Sequence, residues 1–203
     1  MAILALFCQI GMVAQPRCYN CLMASRPLPT NLSPEEYLRF EEHSQTRHEY
    51  VDGIVYEMPG ESLEHNQIAG NIYAELRKPA RASGCKLAIE GVKLWLPQLN
   101  RYYYPDVMVL CDPRDTNSHI FRYPCFIAEV ISPHTEATDR REKLQAYKSI
   151  ETLQTYWIVD PSTRSLEVFE RRQGWQGLRL EAGSARVGCL NLEVSLEDLF
   201  SLA

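Results

Sequence analysis

Two acidic residues interrupt apolar segments of the chain where buried strands are expected. Asp106 follows Pro105 and precedes the run Val-Met-Val-Leu, and Glu129 lies between Phe-Ile-Ala and Val-Ile. Near-continuous apolar runs of this kind are typical of central strands that are covered on both faces. Because an isolated buried charge is very costly, each carboxylate requires a partner, a raised pKa or a metal ion. Hard carboxylate oxygens suit Mg²⁺ or Mn²⁺, so two acids on successive strands predict a divalent-cation site.

Two alternative roles for these acids stay open. Either carboxylate alone could simply cap a loop or pair with an arginine, because structural ion pairs also bury carboxylates. Both acids together also suit a glycoside hydrolase, whose carboxyl groups stand about 5 to 9.5 Å apart without a metal ion between them. In that case Trp95 and the run Tyr102-Tyr103-Tyr104 would form a platform for sugar. The same tyrosines could instead stack on nucleic-acid bases or simply pack inside the fold.

Three helices and a hairpin are expected to position these residues. Ser33-Pro-Glu-Glu36 is a capping box that begins a helix ending at about Glu42. Asp52-Gly53, between two short apolar segments, predicts a hairpin. Ile68, Ile72 and Leu76 have helical spacing within residues 64–77, and Pro79 should end or bend that helix. A further helix is predicted from Asp139 to Ile150.

The remaining apolar segments predict strands. Val92, Leu94 and Leu96 alternate with Lys93 and Trp95, as in a half-buried strand. Further strands are predicted at Tyr102–Leu110, Cys125–Ser132, Thr155–Asp160, Ser165–Arg171 and near Gly188–Val194, with Ser195 capping a last short helix. This mixed order of elements predicts an α+β or α/β fold around one mainly antiparallel or mixed sheet.

Length and composition limit the class of protein. The chain has 203 residues, of which 45% are hydrophobic and 23% charged, which excludes a disordered or collagen-like chain. No run reaches the roughly 18 apolar residues of a membrane span, so no membrane partner is expected. The net charge of −5 means that contact with nucleic acid requires a local basic patch or metal ions. We expect residues 1–25 to form a poorly ordered tail that need not be natively translated, and residues 26–203 to form a single domain.

The seven cysteines do not suggest a disulfide framework. Four of them lie in apolar segments, where a free cysteine acts as a small hydrophobic residue: Cys85, Cys111, Cys125 and Cys189. The simplest expectation is free thiols in a reducing cytoplasm. Cys18 and Cys21 have C-x-x-C spacing, but no second such pair follows, so a metal or redox role for them lacks its confirming context.

Several separated motifs together resemble the Uma-type family of putative restriction endonucleases, within the PD-(D/E)xK nuclease superfamily. These motifs, spread from about Leu32 to Phe200, are SPEEYL, HEYVDG, His65, Tyr104-Pro-Asp106, Glu129-Val-Ile-Ser132-Pro, Asp139-x-x-x-Lys143 with Tyr147, and Tyr156-Trp-Ile-Val-Asp160. The resemblance implies a restriction-endonuclease-like domain with a central mixed β-sheet flanked by helices. It also implies that Asp106 and Glu129 are ligands of Mg²⁺ or Mn²⁺.

The chain departs from the superfamily pattern at the lysine. The pattern places a lysine two residues after the glutamate, where this chain has Ile131. Lys143, on the following helix, is the natural substitute as third catalytic residue. The alternative is that Asp139 and Lys143 form an exposed pair on one helix face, which contributes only about 0.2–0.5 kcal/mol.

The resemblance also suggests further candidate site residues and a function. His65 could orient a phosphate or replace a ligand, and Glu49 could supply a third carboxylate unless it belongs to a surface cluster with Arg47 and His48. Contacts with the nucleic-acid backbone, or merely solvated charges, are expected at Arg140, Arg141, Lys148, Arg77, Lys78 and Arg81. The predicted function is that of a Mg²⁺-dependent endonuclease acting on DNA. The alternative is a nuclease-fold module that binds nucleic acid or protein without turnover, and a homodimer stays open.

Overall fold

The computed structural model describes residues 28–132 and 138–201, with side chains described outside positions 138–140. The helices are α1 (Pro34–Glu42), α2 (Leu63–Ala82), α3 (Leu144–Lys148) and α4 (Leu196–Leu199), and a π-helical segment, Thr138–Lys143, leads directly into α3. The strands are β1 (His48–Val51), β2 (Ile54–Glu57), β3 (Lys86–Ile89), β4 (Lys93–Leu96), β5 (Arg101–Tyr103), β6 (Val107–Leu110), β7 (Ile120–Phe121), β8 (Phe126–Val130), β9 (Thr155–Asp160), β10 (Ser165–Glu170), β11 (Gly177–Leu180), β12 (Ser184–Val187) and β13 (Leu192–Ser195).

The strands form two larger sheets and a hairpin. The larger sheet has the order β11-β10-β9-β8-β6-β3, the smaller one has the order β2-β1-β5-β4-β7, and β12 pairs with β13. The pairs β8–β9 and β4–β7 are parallel, and the other pairs are antiparallel. The α+β class with mixed sheets flanked by helices is therefore confirmed. The expectation of one sheet is wrong, because β1, β2, β4 and β5 wrap a separate aromatic core around α1.

The larger sheet separates two apolar cores. On one face, α2 and the β12–β13 hairpin cover Ala128 and Val130 of β8. On the other face, α3 and strands of the smaller sheet cover Ile127 and Ile131. Successive side chains of a strand point to opposite faces, so Glu129 shares the α3 face with Ile127 and Ile131.

The local signals at the start of the chain are confirmed. The Ser33 hydroxyl accepts a hydrogen bond from the Glu36 N–H, and the Glu36 carboxylate accepts one from the Ser33 N–H. Asp52 and Gly53 have φ angles of 50° and 92° and turn β1 into β2. These two elements fix the entry into the fold, as expected from a capping box and a two-residue hairpin turn.

Two local features differ from what the sequence suggests. The helix α2 does not end at Pro79 but continues to Ala82, because Leu76 and Ala80 are buried against the larger sheet and hold the last turn in place. The lost N–H of a proline costs one helical hydrogen bond there, and burial outweighs it. Trp95 does not face solvent, since it is 8% exposed and stacks on Tyr102 at a ring distance of 4.0 Å.

The prediction of four free cysteines is also wrong. The register of β3 and β6 pairs Lys86 with Leu110, so the preceding Cys85 lies opposite Cys111, and the two form a disulfide. A second disulfide joins Cys125, before β8, to Cys189 in the 3₁₀ turn between β12 and β13. The distant segments that carry these cysteines meet at one end of the larger sheet. The Cys18–Cys21 pair and the predicted tail lie outside the described residues.

Within the part of the chain that the structure describes, no helix combines the length and apolar character needed to cross a bilayer.

Candidate active site

Glu129 receives two partners from the helical segment that follows its strand. The Tyr147 hydroxyl donates a hydrogen bond of 2.7 Å to Glu129 Oε1, and Lys143 Nζ lies 3.3 Å from the same oxygen. The exposed fractions of Glu129, Lys143 and Tyr147 are 3%, 5% and 0%. Lys143 ends the π-helical segment and Tyr147 lies one turn later in α3, so one helix face presents both donors.

Lys143 also links the two sheets. Its Nζ lies 2.9 Å from Glu49 Oε1 on β1, so one ammonium holds two carboxylates from different sheets. The alternative of an exposed helix charge is therefore wrong for Lys143. The alternative of a surface cluster is wrong for Glu49 as well, because the neighbouring His48 is 2% exposed and bonds Glu41 at 3.0 Å.

The Tyr147 hydroxyl remains a donor over the ordinary pH range. Burial, together with the negative charge of Glu129, raises the pKa of Tyr147 well above its usual value, although the Lys143 ammonium opposes the shift. A protonated tyrosine fixes the Glu129 carboxylate in one orientation. Tyr147 has no assigned role in the sequence analysis, and its i, i+4 spacing from Lys143 is the signal that points to it.

The carboxylates of Asp106 and Glu129 each accept a hydrogen bond from a backbone N–H of the neighbouring segment, across the pair β6–β8. Asp106 Oδ2 accepts a hydrogen bond of 2.7 Å from the Val130 N–H. Glu129 Oε2 accepts a longer one, 3.4 Å, from the Asp106 N–H. The register that pairs Val107 with Ala128 produces this exchange, because Asp106 directly precedes β6. Unlike Glu129, the Asp106 carboxylate is partly open, with 13% of its side chain exposed.

His65 stands beside Asp106 at the start of α2. Ser62 caps this helix by accepting a bond from the His65 N–H, which places His65 in the first turn. Its Nε2 lies 3.3 Å from Asp106 Oδ2 and 3.6 Å from Glu61 Oε2. Burial alone would lower the pKa of His65, but the hydrogen bond and charge of Asp106, helped by Glu61 and Glu90, outweigh it and raise the pKa. The contact with Glu61 has no sequence signal beyond its i, i+4 spacing.

Two clefts meet at this group of residues. One, of about 580 Å³, is lined by Asp106 and by Arg47. The other, of about 490 Å³, is lined by His65 and Ser132. The segment 60–62 forms a shared rim between them. Asp106 therefore lies on the wall of one cleft and the nearly buried His65 on the wall of the other, whereas Glu129 and Lys143 line neither of the two.

The predicted backbone-contacting residues do not form one patch in the described structure. Arg141 is exposed and Lys148 half-buried on the helical segment, and neither lines the two clefts. The exposed Arg77, Lys78 and Arg81 lie on α2 about 18–24 Å beyond His65, at 1.5 Å per residue. The side chains of Asp139 and Arg140 lie outside the described residues. Arg47, treated in the sequence as a surface charge, is the basic side chain that lines the larger cleft.

The donor set fits a hard divalent cation. Mg²⁺ is commonly held by one or two carboxylates, with water and phosphate oxygens completing its octahedron. Asp106, directly before β6, and Glu129, on the neighbouring β8, are two such carboxylates, and the nitrogen atoms of His65 and Lys143 lie 3.3 Å from them. Among the described residues, the group of three possible ligand side chains whose donor atoms lie within 4.8 Å of one another consists of cysteines rather than carboxylates, so a cation here would rely on water and substrate oxygens.

The aromatic platform proposed for sugars or bases is not formed. Trp95, Tyr102, Tyr103 and Tyr104 are at most 8% exposed, and the Tyr104 hydroxyl donates to the Glu41 carboxylate at 2.7 Å. Rings enclosed in the core cannot stack on a ligand. Of the two readings of the tyrosines, packing inside the fold is confirmed, and the glycosidase alternative loses its sugar platform.

Comparisons with known proteins agree with this architecture. The sequence profile of the Uma2 family, described as "putative restriction endonuclease", matches residues 34–201. The chain belongs to the Uma2 family. It is 37% identical over 148 residues to the uncharacterised protein slr1290 of Synechocystis sp., covering 72% of this chain and 77% of that one. It is 28% identical over 143 residues to sll1609 of the same organism, covering 69% and 81%.

A solved structure resembles the fold. The crystal structure of a putative nuclease belonging to DUF820 from Anabaena variabilis superposes with a TM-score of 0.69 at 18% identity, covering 83% of this chain and 97% of the other. At that identity the likeness concerns the fold. The Uma2 match confirms the family predicted from the separated motifs, and its description supports a nuclease function.

Proposed function

We propose that this Uma2 protein is a Mg²⁺- or Mn²⁺-dependent endonuclease that hydrolyses phosphodiester bonds in DNA. The observation that carries the proposal is the position of Lys143, whose ammonium lies 3.3 Å from the buried Glu129 although the strand has Ile131 where the superfamily has lysine. A cation supplied by the next helix completes a set of two acids and one lysine. Membership of a family described as restriction endonucleases supports the choice of reaction.

Each residue has a distinct part in the proposed mechanism. Asp106 and Glu129 would hold the cation, and Tyr147 keeps the Glu129 carboxylate in place through its hydrogen bond. A bound Mg²⁺ would lower the pKa of a coordinated water and offset charge on the phosphate. Lys143 donates to the attacking water or to a phosphate oxygen. His65, beside the open face of Asp106, donates a proton toward the leaving oxygen when it is charged.

Local charge, the shape of the cleft and the family description support DNA as the proposed substrate. The chain carries a net charge of −5, so strong contact with a polyanion depends on bound cations and local basic side chains. The cleft of about 580 Å³ opens on Asp106 and carries Arg47 on its wall, which suits one strand of a phosphate backbone. The family description favours DNA over RNA as that strand.

Cleavage of labelled DNA with single-residue variants tests the proposal. Wild-type protein is expected to cleave single-stranded, duplex or branched DNA with Mg²⁺ or Mn²⁺, and not with EDTA. Asp106→Asn should abolish cleavage, and Lys143→Met should reduce it by about a hundredfold or more. Lys148→Met is the matched control on the same helical segment and should weaken binding only in a salt-dependent way.

The rival is a nuclease-fold module that binds without turnover. Ile131, 6% exposed in the apolar core where the superfamily lysine belongs, is the observation that favours it. Binding of DNA with equal affinity by wild type and Asp106→Asn, without cleavage of any DNA form with either metal, would establish this rival. Equal loss of cleavage in Lys143→Met and Lys148→Met would show that Lys143 has no specific role in the mechanism.

A further inference from the structure

Four cysteines that the proposed nuclease mechanism does not use form a continuous sulfur cluster. The disulfides Cys85–Cys111 and Cys125–Cys189 lie side by side, with Cys111 Sγ 3.5 Å from Cys125 Sγ. The sulfur atoms of Cys111, Cys125 and Cys189 all lie within 4.8 Å of one another. Because the two disulfides nearly touch, a thiolate released from one stands next to a sulfur of the other.

Solvent access differs along the cluster. Cys111 is exposed, Cys85 and Cys189 are half-buried, and Cys125 is 5% exposed. The sulfur of Cys111 is therefore the most accessible to an external thiol, whereas the sulfur of Cys125 is shielded from it. Thiol–disulfide exchange requires direct contact between the attacking thiolate and a disulfide sulfur, so this order of access sets an order of reaction.

We propose that the cluster is a thiol–disulfide exchange site for small dithiols, with Cys111 as the entry point and as an internal relay to Cys125. A dithiol thiolate attacks Cys111 Sγ, forming a mixed disulfide and releasing Cys85, which takes up a proton. The second thiol of the reagent then closes on the mixed disulfide, so that the reagent leaves as a cyclic disulfide and Cys111 is released as a thiolate.

The relay step follows within the protein. The Cys111 thiolate attacks Cys125 Sγ, a Cys111–Cys125 bond forms, and the Cys125–Cys189 bond breaks. Cys189 leaves with the electron pair and takes up a proton. In total the dithiol supplies two electrons and two protons, one disulfide is reduced, and the second moves from Cys125–Cys189 to Cys111–Cys125.

The exchange changes the attachment of the C-terminal elements. Cys189 lies in the 3₁₀ turn between β12 and β13, and its disulfide ties this hairpin to the start of β8. The following α4 is bound to α2 through Asn71, whose amide donates to the carbonyls of Leu199 and Ser201. After exchange α4 keeps these noncovalent contacts, but the hairpin loses its covalent link to the sheet.

A matched pair of variants in the full chain tests the relay. In a background with Cys8, Cys18 and Cys21 replaced by serine, Cys85→Ser leaves Cys111 unpaired beside Cys125, and Cys111→Ser leaves Cys85 unpaired. After acid quenching, alkylation and tryptic digestion, mass spectrometry should find Cys111–Cys125 linked and Cys189 free in Cys85→Ser. In Cys111→Ser it should find Cys125–Cys189 intact and Cys85 free.

Graded reduction of the background protein provides a second measurement that needs no variant at the cluster. Brief treatment with dithiothreitol should produce a transient Cys111–Cys125 linked peptide before all four thiols appear. Retention of Cys125–Cys189 in Cys85→Ser, or absence of the transient peptide, would overturn the relay. Isolation of the untreated background protein with four reduced thiols and one zinc ion per chain would overturn the exchange site altogether, since a tetrathiolate metal site would then be its resting state.

Discussion

At the scale of single residues, Lys143 joins two largely buried acids of the site. Its ammonium is the cationic partner of both Glu49 and Glu129, and all three side chains are at most 14% exposed. The resemblance to the nuclease superfamily predicts its proximity to Glu129, because Ile131 occupies the position of the superfamily's lysine and the next helix carries Lys143. It could not predict the ion pair with Glu49, since that contact depends on how the two sheets pack.

Replacement of Lys143 by methionine should destabilise the fold as well as reduce cleavage. Removing one partner of a buried ion pair typically costs about 3–5 kcal/mol, because the remaining carboxylates stay buried without compensation. Urea denaturation at pH 7 measures the free energy of unfolding. Lys148→Met, the half-buried control, should change it by less than about 0.5 kcal/mol.

A second substitution identifies the cause of that loss. In Lys143→Met the buried Glu129 carboxylate lacks its ammonium partner. Adding Glu129→Gln removes that negative charge, so the double variant should be more stable than Lys143→Met alone. The coupling energy of the double-mutant cycle should exceed about 0.5 kcal/mol. Additive effects would show that the ammonium and the carboxylate do not interact as described.

At the scale of elements, local signals are sufficient where short-range geometry decides the structure. The capping box of α1 and the Asp52-Gly53 turn follow from a few adjacent residues. The helix does not end at Pro79, because burial of its neighbours on α2, a tertiary effect, outweighs a local helix-breaking preference. The prediction at Trp95 is wrong for the same reason, because α1 and its aromatic core cover the second face of β4.

The β1–β2 turn should be sensitive to a side chain at Gly53. Its φ of 92° is disfavoured for residues with a Cβ, and an added Cβ would lie 3.3 Å from Asn31 Cα. Gly53→Ala should therefore lower the free energy of unfolding by about 1–3 kcal/mol. Gly60→Ala is the control, because a Cβ there meets nothing within 4 Å and needs no positive φ. Equal stability of the two variants would contradict the turn geometry.

The turn between β9 and β10 should make stability depend on acid pH. Burial raises the pKa of Asp160, but hydrogen bonds from Ser162 and Thr163 outweigh it and lower the pKa in the folded protein. The unfolded chain therefore takes up this proton first as the pH falls. The stabilisation is complete above about pH 4 and is lost as the pH falls through the lower folded pKa.

Denaturation of Asp160→Ala between pH 2 and pH 7 checks this dependence. The variant should be less stable than wild type by about 1–2 kcal/mol at pH 7, and the difference should narrow below about pH 4. Asp160→Asn keeps an acceptor without a titrating charge and should show an intermediate loss that varies less with pH. A wild-type advantage that grows on acidification would contradict the assigned direction of the shift.

At the scale of the whole molecule, the family and the mixed α+β class are predictable, because many motifs in order specify one topology. The division into two sheets and the four-cysteine cluster are not. Both depend on contacts between segments far apart in the chain, such as the disulfide from Cys125 to Cys189. Spacing within a single sequence does not report which strand ends meet.

Divalent cations should stabilise the molecule if Asp106 and Glu129 share one. A ligand at a hundred times its Kd contributes about 2.7 kcal/mol, which corresponds to a rise in Tm of roughly 5–10 °C for a chain of this size. Calorimetry with excess Mg²⁺ or Mn²⁺, against KCl at equal ionic strength, measures the increment. Asp106→Asn should remain folded and lose it. An unchanged wild-type Tm at millimolar metal would count against the site.

The alternation of side chains on β8 has a consequence for how the chain folds. Glu129 faces α3, while its neighbours Ala128 and Val130 face the apolar core beneath α2. If β8 paired one residue out of step, its side chains would exchange faces, and the carboxylate would enter a core of aliphatic and aromatic groups far from Lys143 and Tyr147. A charge without a partner there costs several kcal/mol. The acid proposed for metal binding thus also penalises mispaired sheets while the chain is still assembling.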